Sequence, residues 1–242
     1  MDREAPKRRP QDKKPAGFHS WRTLSFLHWE VPAELLQRLV HPRLTIDTFE
    51  GRAFIGLVPF TMKDIRLFPL PRWPGMTNFH ETNVRTYVHL DGRDPGVWFF
   101  SLDAASRQCV LGARVAYHLP YHFADMRLEA ADERVRYRSD RAWPKPTPAH
   151  CEVAIEFGPP LGAATPGSLE DFLAERYFLY SAKGDRLYRG QVHHTPYPLR
   201  AAKLERVDQT LLSSAGVPVS GPPVSVLASD GVDVDVYAIE AV

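Results

Sequence analysis

The chain has 242 residues, 44% hydrophobic and 24% charged, with a formal net charge of +1. That length buries a sizeable core in one β-rich domain or two small ones, and the near-zero charge excludes the basic character of a nucleic-acid-binding protein. Cys109 and Cys151 are the only cysteines, too few for a disulfide framework or a cysteine-built zinc site, and are expected to be small, reduced, buried side chains of a cytoplasmic protein. No apolar stretch approaches the roughly 20 residues of a membrane span, so no membrane partner is expected.

The opening MDREAPKRRPQDKKPAG is basic, proline-rich and poor in apolar residues. Such a segment buries too little surface to offset its ordering entropy, so residues 1–17 are expected to be a flexible tail and 18–242 a single domain. With no apolar run behind it, the tail does not read as a signal peptide. In LHWEVPAELLQRLV, Pro32 suits a first helical turn and Leu35, Leu36, Leu39 and Val40 give one apolar face. LTIDTFEGRAFIGLVPF predicts two strands joined by a turn at Glu50-Gly51. Asn83–Leu90 and Val97–Leu102 predict a hairpin around Asp91-Gly92. Ser106 to Tyr117 carries a small-residue helical pattern, with Val110, Ala113 and Tyr117 on one face. Strands are expected at Asp125–Glu129, Arg134–Ser139 and Glu152–Phe157. SLEDFLAERY begins a helix with a serine cap and an acidic first turn. Phe178–Ser181, Leu187–His194 and Val232–Ile239 complete an α+β pattern of many strands and about three helices.

The blocks WRTLSFLHWEVP, DTFEGRAFIGLVPF, ETNVRTYV, FFSLD, GARVAYHLPYH, LEDFLAERYFLY and RGQVHHTPYPL resemble the YqjF-like branch of the acetoacetate decarboxylase-like superfamily. The resemblance covers roughly Trp21 to Leu199, and it implies a β-rich barrel or curved sheets enclosing a pocket. It also leaves room for a homo-oligomer. The decarboxylase motif ends in Phe-Pro-Lys-Lys, whose first lysine forms the Schiff base. The matching stretch here runs from Arg114 to His122, and it places Tyr121 at the Schiff-base position and His122 beside it. A phenol forms no imine, so the desolvated lysine on which that chemistry depends is missing from the motif. Neither Lys63 nor Lys203 sits in a recognisable substitute, and decarboxylation by the usual route is not expected.

Glu81 and Arg85 are four apart in ETNVRTY. On a strand they share one face, either as a structural ion pair or as the polar side of a pocket. The decarboxylase analogy favours the pocket. Glu81, Tyr121 and His122 are the candidate catalytic residues, since a carboxyl or imidazole exchanges protons and a phenol donates to an oxyanion. Arg85, Arg114, Tyr117, His193 and Tyr197 are the candidate substrate-binding residues, the arginines because a guanidinium grips a carboxylate through two bonds. Of His193 and His194 only one can face a given pocket. No histidine or acidic pair has metal-ligand spacing, so neither a metal nor another cofactor is expected. Ser101 and Asp103 share a strand face and there is no GxSxG elbow, which argues against a hydrolase triad. Trp21, Trp29, Phe54 and Phe60 read as core. The first functional reading is an enzyme acting on a small carbonyl- or carboxylate-bearing metabolite by acid–base chemistry. The alternative is a small-molecule binding protein with a degenerate decarboxylase pocket, and a weaker third is a structural partner in an assembly.

Overall fold

A computed structural model describes residues 1–69, 77–144 and 148–242. Its first strand, β1 (Gly17–Val31), leads through Pro32 into the short helix α1 (Ala33–Gln37). Then come β2 (Leu44–Ile46), β3 (Ala53–Leu67), β4 (Phe79–Leu90) and β5 (Arg93–Ala104). Helix α2 (Arg107–Ala116) precedes β6 (Tyr121–Ala131), β7 (Arg134–Trp143) and β8 (His150–Gly162). After α3 (Leu169–Ala174) the chain forms β9 (Phe178–Lys183), β10 (Arg186–His193) and β11 (Leu199–Gln209). It ends with α4 (Leu211–Ser214), β12 (Ser225–Val236) and β13 (Glu240–Ala241). No helix among the described residues is long and apolar enough to cross a membrane.

The strands pair in the order β13-β10-β9-β5-β6-β7-β8-β11-β12-β1-β3-β4-β2, and β4 also pairs β5 while β10 also pairs β12. Those two extra pairings curl the sheet back on itself twice. One closure runs through β9 and β10, the other through β6, β7, β8 and β11, and both share β12, β1, β3, β4 and β5. Closure leaves few free edges. It also places the inward side chains of β1, β3 and β4 opposite those of β9 and β10, around one of the two large apolar clusters of the protein.

Local chemistry explains the elements that form as expected. Asp91 and Gly92 both adopt positive φ, the conformation a tight hairpin demands, and β4 pairs β5 across them. Ser106 and Ser168 cap α2 and α3 by accepting from the amides of Cys109 and Asp171. Glu50-Gly51 does turn, both at positive φ, but β2 pairs with β4 rather than with β3. Both edges of β3 are taken, by β1 and β4, so β2 has to find another partner.

The N-terminal segment, expected to be flexible, lies against the body of the protein. Arg3 donates to both carboxylate oxygens of Asp47 at 2.6 and 2.8 Å, Lys7 pairs with Asp171 at 2.7 Å, and Pro6 is buried. Its charges are answered by acids that lie far along the chain and are gathered only by the fold.

β12 crosses β1 at a glycine. Gly231 has a φ of +131°, and a Cβ there would sit 2.0 Å from the carbonyl oxygen of Trp21. A side chain is therefore excluded both by conformation and by space. Gly231→Ala is expected to lower stability by roughly 2–4 kcal/mol, read as a shift of the urea midpoint. An unshifted midpoint would mean that β1 and β12 do not approach this closely.

Candidate functional site

The cavity enclosed by the shared strands has a volume of about 260 Å³. Its polar side comes from one strand. In β4 alternate residues face the same way, so Glu81, Asn83 and Arg85 all point inward. Beside them stand Val58, Phe60 and Met62 from β3 and Phe99 from β5, and Trp21 and Leu24 from β1 also line the cavity. α2 supplies Cys109, Ala113 and Tyr117. Gly112 and Ala116 of the same helix line the cavity and are also exposed, which places its mouth beside α2.

At one end, Glu81 is 1% exposed and accepts a hydrogen bond of 2.9 Å from the Tyr121 hydroxyl. Burial raises the Glu81 carboxyl to about 8; the Tyr121 bond opposes the shift and the nearby charge of Asp103 adds to it. Glu81 is therefore a neutral acid at pH 7. With Tyr121 donating to one oxygen, the other is left to hold the proton. Burial, and then Glu81, push the Tyr121 phenol well above its ordinary value.

At the other end, Arg85 is 8% exposed. Its Nη2 donates to the Leu173 carbonyl at 3.0 Å, and its guanidinium lies 5.7 Å from the Phe26 ring and 5.8 Å from the Tyr87 ring. No carboxylate among the described residues pairs with it, and its Nε has no protein partner there. The Tyr87 hydroxyl donates to the same Leu173 carbonyl at 2.7 Å and stands 2.6 Å from His28 Nε2. His28 Nε2 is then the donor, and burial together with Arg85 keeps the ring neutral. Gly56, cross-strand from both residues, makes room for them: a Cβ there would sit 3.0 Å from the His28 ring. Arg176 also reaches the cavity, but its charge is answered by Asp47 at 2.8 Å. Among the described residues that line the cavity, Arg85 is the cation without a carboxylate partner.

The structure brings together Glu81, Arg85, Tyr117, Tyr121 and Tyr197 on the cavity wall. It does not bring His122, Arg114 or His193 there. Strand alternation that sends Tyr121 inward turns His122 the other way, where burial depresses its imidazole to about 4. Arg114 donates to the Tyr121 carbonyl at 2.6 Å and lies over the Trp143 ring at 5.5 Å, so it braces the start of β6. Of the two adjacent histidines, His194 is the buried one. It stacks on Tyr177 with centroids 4.4 Å apart and lies 4.7 Å from Tyr197, while His193 is half-buried opposite Asp235.

Lys63 and Lys203 are exposed. No lysine is among the residues that line the cavity, and Lys145 lies outside the described residues. Phe60, read as core, is buried in the core and also lines the cavity, as does the partly buried Trp21 packed against it. Sequence reasoning missed Asn83 and His19. Asn83 was signalled by its place midway between two residues assigned to one face. His19 could not be placed without recognising β1. His19 Nδ1, Trp21 Nε1 and Asn83 Oδ1 are buried without protein partners among the described residues.

The chain matches the model of the DUF2071 family, described as an uncharacterized conserved protein, over residues 19–233. It is 38% identical over 205 residues to the uncharacterized protein YqjF of Bacillus subtilis (strain 168), with 84% of each chain covered. Among solved structures it is similar to an acetoacetate decarboxylase from Legionella pneumophila, at a TM-score of 0.64 and 13% identity, covering 97% of this chain and 90% of that one. It is also similar to the enduracididine biosynthesis enzyme MppR complexed with pyruvate, at a TM-score of 0.60 and 12% identity, covering 94% and 91%.

Proposed function

The chain belongs to the DUF2071 family and has an acetoacetate decarboxylase-like fold, and on that footing we propose that its cavity binds a small, largely apolar carboxylate or carbonyl compound and acts on it by acid–base chemistry without a lysine imine. The observation that carries this reading is Arg85: a buried guanidinium on an otherwise mostly apolar wall, with no carboxylate among the described residues to neutralise it. Burying a charge is costly unless something pairs with it, and a ligand carboxylate held by that guanidinium would supply the pair. MppR, of similar fold, is complexed with pyruvate, which supports a carboxylate as the kind of group concerned.

Chemistry would then fall to Glu81. A substrate carbonyl near its free oxygen would take the Glu81 proton as negative charge develops on the carbonyl oxygen, and the resulting Glu81 carboxylate would keep the bond from Tyr121. Tyr121 holds the motif position of the Schiff-base lysine and serves here as the hydrogen-bonding partner of the acid. The predominance of apolar wall favours the second reading, a binding protein without turnover.

The test is calorimetric titration with a panel of keto acids and aryl acids. Arg85→Met is expected to weaken carboxylates about tenfold to a hundredfold, while the empty protein becomes no less stable because an unpaired buried charge is gone. Gly112→Trp, at a position with nothing within 4 Å of an added Cβ, is expected to obstruct the mouth and slow association without unfolding the protein. Carboxylates that bind Arg85→Met as tightly as the parent would sink the proposal. Turnover that Glu81→Gln abolishes while binding persists would decide for the enzyme over the binding protein.

A further inference from the structure

We infer, resting on the carboxylate reading above, that the ligand is two-ended: a carboxylate held at Arg85, and a hydrogen-bonding oxygen at Glu81 and Tyr121, separated by an aromatic ring or a spacer of similar length. The two polar ends lie apart. Residues 81 and 85 are four apart on one regular strand, which sets their Cα atoms about 13 Å from each other at the usual rise per residue. The Arg85 side chain does not reach back toward the acid. It lies toward Tyr87, Phe26 and the Leu173 carbonyl, and the charge that acts on Glu81 is that of Asp103.

A short β-keto acid has only one carbon between carboxylate and ketone, so it could touch one end or the other but not both. The wall between the ends is suited to an apolar body. Val58 and Leu102 flank Asn83 there and Phe60 flanks Glu81, giving apolar surface on either side of the Asn83 amide. Volume agrees with this reading: a cavity of about 150 Å³ suffices for benzene, and 260 Å³ takes a ring with a short acid arm.

Four probes test it by isothermal titration: para-hydroxyphenylpropanoate, phenylpropanoate, para-ethylphenol and acetoacetate. The hydroxylated aryl acid is expected to bind at least tenfold tighter than phenylpropanoate and than acetoacetate. Glu81→Met should erase the gain from the hydroxyl, and a cooperative urea transition shows that the variant is folded. If carboxylates bind but the hydroxyl adds nothing, or acetoacetate binds as well as the aryl acids, the two-ended reading is overturned and the Arg85 anchor stands. If para-ethylphenol binds as tightly as its acid counterpart, the carboxylate anchor falls, and this inference with it.

Discussion

Glu81→Gln is expected to match the parent protein in stability at pH 4 and to exceed it by several kcal/mol at pH 9. Below its ordinary value of 4.5 the carboxyl is protonated in the folded and unfolded chain alike, and the substitution changes little. Between 4.5 and about 8 the unfolded chain has released the proton while the folded chain keeps it. The unfolded state then binds fewer protons, so the parent loses stability as pH rises through this window. Above about 8 the loss is complete. From 4.5 to 8, at roughly 1.4 kcal/mol per pH unit, it is on the order of 4–5 kcal/mol. Glutamine does not ionise and can still accept from Tyr121, so it escapes the penalty. His19 and His194, depressed to about 4 by burial, act oppositely, costing stability as pH falls below the ordinary histidine value. They are common to both proteins and cancel in the difference. Urea midpoints taken from pH 4 to 9 measure it, and parallel curves for the two proteins would mean that Glu81 is ionised at neutral pH.

The same window bears on function. A neutral Glu81 donates a proton; an ionised one would repel a carboxylate. On the proposed carboxylate reading, affinity for a carboxylate is expected to fall as pH rises through the Glu81 titration, whereas a purely structural role for this residue would move stability alone.

Parity along one strand made much of this site legible in the sequence. Glu81 and Arg85 could be assigned to one face because four is an even step, and the hairpin that carries them was marked by Asp91-Gly92. Parity also holds the reason for two of the failures. Tyr121 and His122 cannot both face one cavity, and of His193 and His194 the structure buries His194. β1 was hidden for a different reason: residues 24–29 are buried without interruption because both faces are covered, so no alternation marks them. β11 alternates weakly among half-exposed polar residues and finds its place only through β8 and β12. Partners distant in sequence left no trace at all. Nothing local to Arg3 or Arg176 signals that both end on Asp47, and nothing near Asp103 announces Arg141.

That last pair carries the largest stability effect expected outside the cavity. Asp103 is fully buried on β5 and accepts from Arg141 Nη2 at 2.7 Å and Nε at 3.0 Å. Burial still leaves the Asp103 carboxyl above its ordinary value, with Arg141 opposing the shift. Arg141→Met is expected to cost about 3–5 kcal/mol, because it strands a charge that water cannot reach. Much of that cost should return in the double variant Asp103→Leu/Arg141→Met, since a buried pair replaced by apolar side chains of similar size is often neutral or stabilising. The double variant also reaches the cavity. Asp103 is one of the groups that raise the Glu81 carboxyl, so without it the gap between the parent and Glu81→Gln backgrounds should still open near pH 4.5 but stop growing at a lower pH and end smaller. Urea midpoints of the parent, Arg141→Met and the double variant, with Glu81→Gln also made in the parent and in the double variant, each across the same pH range, read both effects at once. A single Arg141→Met as stable as the parent would show that Asp103 is hydrated; an unmoved Glu81 titration in the double variant would show that burial alone keeps Glu81 neutral.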